Sequence, residues 1–464
     1  MKLKSIATAI AVAATLAATA QQAPKYIFLY VGDGMGMGPV NAAETYNRMI
    51  LDNEEPLLMN TFPVVGWCQT YSASAPVTDS AAAGTAFSTG VKTRNGMLGM
   101  APDTTAVNSV AADLFAAGWG VGIATSVAAD DATPGAFYAH VPYRKMYADI
   151  DSAFAASGYQ FLAGAGLQGL ADADGNPTAA ARAFTAEGIT VVRGPEDALA
   201  PVAGRKVLLN PEGSAPWNIS YTIDSVAGVL SLPLIAESCL THLKATSPER
   251  FFIMVEGGNI DHALHANDGG TAVKEILNFN DALEVAYEFY SAHPDETLII
   301  VTADHDTGGM ALQWNAISGL GNIDFQKVSK EAFSTYCKSL LRDRRVYTWD
   351  DMKEYLRENL GFYDHVRISD EQEERLEDLF DATFELRNTA DQHTLYANFN
   401  AFAVEVFKIF NDATGFAFTT VGHSGNPVPL YAVGCGANLF KGFNNNIDIA
   451  ERIRILAGLA QARQ

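Results

Sequence analysis

Residues 25 to 36, KYIFLYVGDGMG, begin with a nearly continuous apolar run and end in a glycine-rich loop. An apolar run of this length is typical of a central β-strand that is buried on both faces. The glycine spacing does not match a dinucleotide-binding loop. Because open α/β sheets bind ligands at the carboxyl ends of their strands, Asp33 is predicted to be a metal ligand or a catalytic carboxylate. The alternative is a turn aspartate that is satisfied by neighbouring amides.

Further apolar runs of strand length follow along the chain, and helix-like segments lie between them. This alternation predicts an α/β fold with a central, mostly parallel β-sheet sandwiched between helices. No internal repeat or low-complexity linker interrupts residues 21–464, so they are interpreted as one decorated domain. The further runs are Val121–Thr125, Lys206–Leu209, Phe251–Val255, Thr297–Thr302 and Val428–Val433.

Residues from about 322 to 418 differ in character from the rest of the chain. Thr348 and Asp351 begin one charged amphipathic segment, and Ser369 and Gln372 form a capping box for another. The region is predicted to be a helical insertion or subdomain on the same sheet. The apolar residues that give the second segment its helical face are Leu376, Leu379, Phe380, Phe384 and Leu386.

The first 20 residues have the pattern of a cleaved secretory signal peptide. Lys2 and Lys4 precede a short, alanine-rich apolar stretch that ends in Ala18-Thr19-Ala20. A membrane anchor is the alternative, but the apolar stretch is short. The pattern predicts a periplasmic or secreted protein without a membrane anchor.

The composition of the chain bears on its partners and its thiols. The formal net charge of −22 argues against a basic surface that binds nucleic acid. The four cysteines are widely spaced, so neither a zinc-finger spacing nor a particular disulfide pairing is indicated. They are Cys68, Cys239, Cys337 and Cys435.

Residues 76 to 96, PVTDSAAAGTAFSTGVKTRNG, predict a helix that begins at or just after Ser80. Backbone N–H groups and the helix dipole favour an anion at such a position, so the Ser80 hydroxyl could meet a phosphate-like substrate. The alternative is that Asp79 or Ser80 only caps a packed, alanine-rich helix.

Acidic and histidine residues follow the later predicted strands. Asp261 and His265 are four residues apart, so on a helix they share a face and can hold one cation. Carboxylate and imidazole groups without thiolates form the ligand set of catalytic zinc, and oxygen-only groups suit magnesium. Paired metals of this kind suit phosphoryl transfer. The other residues of this kind are Glu256, His262, Asp304, His305 and His423.

Together these segments resemble the alkaline phosphatase family, from Tyr26 to about Trp314 and again from Thr420. The resemblance implies that Ser80 is phosphorylated during turnover, that Asp79 supports the site, and that the enzyme uses two zinc ions and one magnesium ion. By the same resemblance, one zinc would be held by Asp261, His265 and His423, the other by Asp33, Asp304 and His305 with Ser80, and magnesium by Asp33, Thr133 and Glu256.

Three further positions are assigned by the same resemblance. Asp131 would reach magnesium through water, and Arg144 would clamp the phosphate, for which its planar fork is suited. His262 stands where many bacterial members have a lysine. A neutral imidazole there predicts weaker phosphate binding and a more alkaline optimum, and it can favour a softer metal than magnesium.

The function implied is hydrolysis of small phosphate monoesters through a phosphoserine intermediate, with release of inorganic phosphate. The closest alternative is a phosphodiesterase or a related phosphonate or sulfate ester hydrolase of the same superfamily. Such relatives generally lack the third-metal residues, so Thr133, Glu256 and Arg144 favour the monoesterase. A binding protein without turnover is a further alternative, but it has no need of a nucleophile. Relatives are often homodimers, and no feature of the sequence decides the oligomeric state.

Overall fold

A ten-stranded β-sheet runs through the molecule in the computed structural model, which describes residues 23–314, 316–343, 347–387 and 391–459. The predicted signal peptide, residues 1–20, lies outside the described residues. The strands are β1 (Tyr26–Gly32), β2 (Val64–Gln69), β3 (Gly120–Thr125), β4 (Phe161–Gly164), β5 (Thr190–Arg193), β6 (Lys206–Leu209), β7 (Phe251–Gly257), β8 (Thr297–Thr302), β9 (Val428–Gly434) and β10 (Gly442–Asn445).

The strand order in the sheet is β10-β2-β9-β8-β1-β7-β3-β4-β6-β5. All neighbours are parallel except β9, which runs antiparallel to both β8 and β2. The central strands β8, β1, β7 and β3 are buried along almost their whole length, as their apolar runs predict. The mostly parallel sheet is therefore confirmed.

Helices cover the sheet in two groups. In one group α9 packs against α1 and α7, and in the other α2 packs against α4 and α15. This arrangement confirms the α/β fold. The α-helices are α1 (Met37–Met49), α2 (Ser80–Thr89), α3 (Val110–Ala116), α4 (Ala132–Gly135), α5 (Tyr147–Ser157), α6 (Ala179–Ala186), α7 (Leu232–Thr246), α8 (Asn259–His265), α9 (Gly269–Ala292), α10 (Ala316–Gly319), α11 (Lys330–Asp343), α12 (Trp349–Leu360), α13 (Asp370–Phe380), α14 (Ala401–Thr414) and α15 (Ile447–Leu456).

Shorter elements connect these helices and strands. The 3-10 turns are Leu58–Thr61, Thr222–Asp224, Leu320–Phe325 and Ala437–Phe440, and a π-helical turn spans Asp381–Glu385. Three small antiparallel pairs are Asp306–Thr307 with His423–Ser424, Ala311–Leu312 with Phe416–Ala417, and Asp391–His393 with Asn398–Asn400.

A second hydrophobic core lies within the predicted insertion. Helices α11, α12, α13 and α14 surround it, and the buried side chains of this core extend from Phe333 to Phe410. Leu320, Ile323 and Phe416, near the two predicted boundaries, pack instead into the main core of the sheet. The helical unit between residues 322 and 418 thus has its own packed interior.

The predicted helix start at Thr348 and the predicted capping box at Ser369 are confirmed, and one position of the predicted apolar helical face is not. Both Thr348 with Asp351 and Ser369 with Gln372 form reciprocal capping boxes. Leu386, in contrast, is 78% exposed. The α-helix ends at Phe380, and the wider π-helical turn that follows changes the spacing of side chains around the axis, so Leu386 faces away from the core.

Two further observations bear on the sequence predictions. All four cysteines are present as buried thiols. In the part of the chain that the structure describes, no helix is long and apolar enough to cross a membrane.

Candidate active site

The predicted site residues meet where the central strands end. Asp33 directly follows β1, Glu256 is the penultimate residue of β7, and Asp304 and His305 follow β8. Because these strands are parallel and adjacent, with Val31 opposite both Glu256 and Thr302, their carboxyl ends share one edge of the sheet. The register of the sheet therefore brings together side chains that are up to 272 positions apart in the sequence.

Ser80 lies at the amino end of α2 and points into this edge. Asp79 is the N-cap, and its Oδ1 accepts a hydrogen bond of 2.9 Å from the Ala82 N–H. Ser80 is therefore the first helical residue rather than the cap, and its hydroxyl remains available. The Ser80 side chain is buried, and its Oγ lies 3.2 Å from His305 Nε2.

The first group of predicted ligands surrounds His305. Its Nε2 lies 3.0 Å from Asp304 Oδ2 and 3.6 Å from Asp33 Oδ1. Burial and the adjacent carboxylates of Asp304 and Asp261 raise the pKa of Asp33 well above its ordinary value. Several carboxylates packed together out of water require cations to remain ionised, so this group is suited to a metal ion.

The second group contains Asp261, His265 and His423. His265 Nε2 lies 3.3 Å from Asp261 Oδ2 and 3.0 Å from His423 Nε2. The Nδ1 atoms of the two histidines lie within hydrogen-bond distance of backbone carbonyl oxygens, at 2.6 Å from Val421 for His265 and 2.9 Å from Thr78 for His423. An N–H that donates to a carbonyl fixes the tautomer and directs the Nε2 lone pair of each ring into the group, as in histidines that bind metals.

The two groups are contiguous. The His305 and His423 rings stack with centroids 3.6 Å apart. Donor atoms of Asp33, Asp304 and His305 lie within 4.8 Å of one another, and the same holds for Asp261, His305 and His423. His305 therefore lies between two ligand sets that are close enough to act on one substrate.

Gly34 allows the loop after β1 to pass between these groups. Its backbone has φ +69°, and a Cβ at this position would lie 2.7 Å from Asp261 Oδ1. Its N–H donates a 3.0 Å hydrogen bond to Asp304 Oδ1. Only glycine fits a left-handed conformation with so little space, which explains the glycines around Asp33.

Glu256 and Thr133 form the third predicted set with Asp33. The Thr125 hydroxyl donates a hydrogen bond to Glu256 Oε2, from the register position in β3 directly opposite it. Burial raises the pKa of Glu256 to about 8 although Thr125 donates to it. Thr125 was not among the predicted site residues, although it ends a predicted strand at the same edge.

Buried oxygens without hydrogen bonds test whether metals fit these residues. Four such atoms are Asp33 Oδ1, Thr133 Oγ1, Asp261 Oδ2 and Asp304 Oδ2. An unpaired buried oxygen is costly, and these four belong to residues that the sequence predicts to bind a metal, although buried oxygens without a hydrogen bond also occur elsewhere, as in Asp130 and Asp151. The donor set of carboxylates, imidazoles and one hydroxyl therefore fits divalent cations.

Arg144 is held by two acidic side chains, one of which, Asp79, directly precedes Ser80. Its Nη2 donates a 3.0 Å hydrogen bond to Asp131 Oδ1, and its Nη1 lies 3.6 Å from Asp79 Oδ2. Asp79 is fixed in turn by the Gly96 N–H, which donates to Oδ2 at 2.8 Å. The guanidinium is thereby held in place with N–H groups left to bind an anion.

His262 and Tyr396 form the wall of the cleft beside the second group. Burial lowers the pKa of His262 to about 4 despite the nearby Asp261 and Asp131, so the ring is neutral at ordinary pH. The Tyr396 ring lies 3.8 Å from the His262 ring, centroid to centroid. Tyr396 comes from the turn of the hairpin in the insertion, and no sequence pattern predicted it to reach the site.

A cleft of about 1020 Å³ opens onto Asp79, Arg144 and the histidines. Aromatic and other side chains also line it. They include Tyr143, Lys145, Trp217, Leu395 and Tyr396.

Comparisons with known proteins agree with this geometry. The family model of alkaline phosphatase matches residues 24–166 and 215–459. Alkaline phosphatase 4 of Bacillus subtilis (strain 168) is 28% identical over 439 residues, which cover 92% of this chain and 87% of that protein. The Homo sapiens tissue-nonspecific isozyme is 28% identical over 349 residues, covering 64% of this chain and 66% of that protein.

Two solved structures share the fold. The alkaline phosphatase of Thermus thermophilus superposes with a TM-score of 0.78 at 26% identity, covering 96% of this chain and 93% of that chain. The cold-active alkaline phosphatase of a psychrophilic Shewanella sp. gives a TM-score of 0.76 at 26% identity, covering 94% and 100%. Since the family model covers most of the chain, the protein belongs to the alkaline phosphatase family and is a hydrolase of that metal-dependent family.

Proposed function

We propose that the protein is an alkaline phosphatase that hydrolyses phosphate monoesters through a phosphoserine at Ser80. The observation that carries this proposal is the position of Ser80 Oγ, buried at a helix amino end and 3.2 Å from His305 Nε2. The hydroxyl thus lies beside the ligand groups, and Arg144 lines the cleft together with the adjacent Asp79 and with His265 and His423. A protein that only binds phosphate has no need of a nucleophile at this point.

The proposed metals are two zinc ions and one magnesium ion. Asp261, His265 and His423 would hold one zinc, and Asp33, Asp304 and His305, with Ser80, the other. The oxygen donors Asp33, Thr133 and Glu256 suit magnesium. When bound, such ions lower the pKa of a hydroxyl or water and neutralise charge on phosphoryl oxygens.

The side chains have separate roles in the proposed reaction. Ser80 Oγ forms a bond to phosphorus as the bond to the leaving alcohol breaks, and water then cleaves the phosphoserine to release inorganic phosphate. The N–H groups and dipole of α2 favour the anion beside Ser80. Arg144 binds two phosphoryl oxygens with its planar fork, and Asp131 and Asp79 keep that fork aimed at the substrate.

The chain is further proposed to be exported, with residues 1–20 removed as a signal peptide. Mass spectrometry of the N-terminus of the protein isolated from its native cells tests this. A mature chain that begins near Gln21 supports export, and an intact N-terminus contradicts it.

Relative rates on two matched substrates test the proposed activity. An aryl phosphate monoester and the corresponding bis-aryl diester are compared before chelation, after chelation, and after zinc and magnesium are restored. We expect a strong, metal-dependent preference for the monoester that is lost in Ser80→Ala. A preference for the diester would instead indicate a phosphodiesterase, and metal retention without turnover of either substrate would indicate a binding protein.

A further inference from the structure

The cleft is far larger than a phosphate group requires. Its volume of about 1020 Å³ is in the range of pockets that enclose a whole drug-sized ligand. Arg144, His265 and His423 are among the residues that line it, so a phosphate bound beside them leaves most of the volume, the outer space, to the alcohol portion of a substrate. The side chains of that outer space therefore contact the part of the substrate that distinguishes one monoester from another.

Three aromatic side chains line this outer space and remain accessible. Tyr143 and Trp217 are each 53% exposed and Tyr396 is 37% exposed. Accessible aromatic side chains along a cleft offer ring faces on which a planar group can stack. They come from three separate parts of the chain: the loop before α5, the segment after β6, and the hairpin of the insertion.

Each aromatic residue is anchored next to a phosphate-site residue. Tyr143 immediately precedes Arg144, whose N–H donates to the Gly96 carbonyl at 2.8 Å. The Trp217 carbonyl accepts a 2.8 Å hydrogen bond from Ala128, in the segment that leads to Asp131. Tyr396 stacks on His262. The backbone positions of Tyr143 and Trp217 and the ring position of Tyr396, relative to the phosphate-site residues, are therefore set by the fold.

We propose that Tyr143, Trp217 and Tyr396 form a leaving-group subsite that binds an aromatic or heterocyclic ring in the alcohol portion of the substrate. The proposal rests on the monoesterase function above, since continuity with the Arg144 end of the cleft identifies the occupant as the substrate's own alcohol. Stacking of a planar ring on aromatic side chains is favourable for many rings, because each offers a π-face. Both a simple arylalkyl phosphate and a nucleotide carry such a ring.

Two pairs of substrates with matched leaving oxygens test the proposal and distinguish these sources. Adenosine 5′-monophosphate is compared with ribose 5-phosphate, and 2-phenylethyl phosphate with ethyl phosphate. We expect kcat/KM to favour the ring-bearing member by about fivefold or more. A preference within only one pair would identify the source of the ring as a nucleotide or an arylalkyl alcohol.

Substitutions of the three aromatic residues show whether this preference comes from the subsite. Trp217→Ala and Tyr143→Ala should each reduce the preference about fivefold, whereas Tyr396→Phe, which keeps the ring, should retain it. Trp314→Ala is the control, since Trp314 is 93% exposed and does not line the cleft.

Failure of the subsite proposal and failure of the monoesterase proposal give different results. Equal kcat/KM for both members of each pair, or an unchanged preference in both alanine variants, would overturn the subsite while leaving the monoesterase intact. No hydrolysis of any of the four monoesters would overturn the monoesterase itself.

Discussion

Replacement of Arg144 tests whether the guanidinium binds the phosphoryl group through two N–H donors. Arginine has five such donors. One of them donates to Asp131 Oδ1, and the contact with Asp79 Oδ2 at 3.6 Å is an ion pair longer than a hydrogen bond. The side chain is only 14% exposed, so solvent screens its charge little. Four N–H donors therefore remain, and two of them are enough to bind two phosphoryl oxygens.

The expected loss of activity in Arg144→Ala follows from these two hydrogen bonds. Each hydrogen bond to a charged group contributes about 1.5–3 kcal/mol, so Arg144→Ala should cost about 3–6 kcal/mol of transition-state stabilisation. At about 1.4 kcal/mol per tenfold, kcat/KM falls roughly 10²- to 10⁴-fold. Arg144→Lys keeps the charge but not the fork, so we expect a smaller loss of roughly 10- to 100-fold.

The assay is the initial rate on an aryl phosphate with zinc and magnesium saturating, together with the inhibition constant of inorganic phosphate. Metal content is measured in each variant to verify that the ligand groups remain filled. Arg182→Ala serves as the control, because the Arg182 side chain is exposed, lies outside the cleft lining and donates a hydrogen bond to the Pro177 carbonyl. Activity of Arg144→Ala within tenfold of the unmodified enzyme, or full activity of Arg144→Lys, would refute the two-donor contact.

Three further predictions concern charge, pH and metal. His262→Lys places a cation in the cleft, so phosphate should inhibit about tenfold more tightly and the optimum should become less alkaline; unchanged inhibition and pH profile would contradict this. Burial raises the pKa of Glu275 to about 7 from an ordinary 4.5, so the stability that this group contributes is fully present below pH 4.5 and is lost, by about 3 kcal/mol, as the pH rises from 4.5 to 7. Glu275→Gln should abolish that fall in denaturant unfolding, and an equal fall in both proteins would contradict the assignment. Chelation should lower the thermal midpoint by at least about 5 °C, because it leaves the clustered carboxylates uncompensated, and restored zinc and magnesium should reverse the change.

The central strands and the residues at their ends could be predicted because their signals are local. A strand buried on both faces needs a continuous apolar run, and β1, β3, β7 and β8 each have one. An acidic or histidine residue directly after such a run must lie at the edge of the sheet. These signals placed Asp33 and Glu256 at strand ends, and the resemblance to the family then assigned both to one magnesium site although 223 positions separate them.

The outer strands could not be predicted in the same way. β2 alternates buried and exposed residues, and its place depends on pairing with β9 and β10 far along the chain. β5 has only four residues, none of them fully buried. Short edge strands gain their stability from tertiary pairing, so the sequence carries little local signal for them.

The insertion shows the same limit of prediction from the sequence, here at the active site. Its helices have capping boxes and amphipathic faces, which are local features and were predicted. Tyr396 reaches His262 only because the insertion packs over the sheet edge, and the four-residue turn that carries Tyr396 has no chemical motif. The roles of the metal ligands and of Ser80 remain predictions that the geometry supports.

The stereochemical course at phosphorus tests the central claim most directly. Each in-line displacement inverts phosphorus, so attack by Ser80 followed by attack by water gives net retention. Hydrolysis of a monoester made chiral at phosphorus with oxygen isotopes, in isotopically labelled water, should therefore yield inorganic phosphate of retained configuration. Net inversion would show that water attacks the substrate directly, and it would contradict a phosphoserine intermediate at Ser80.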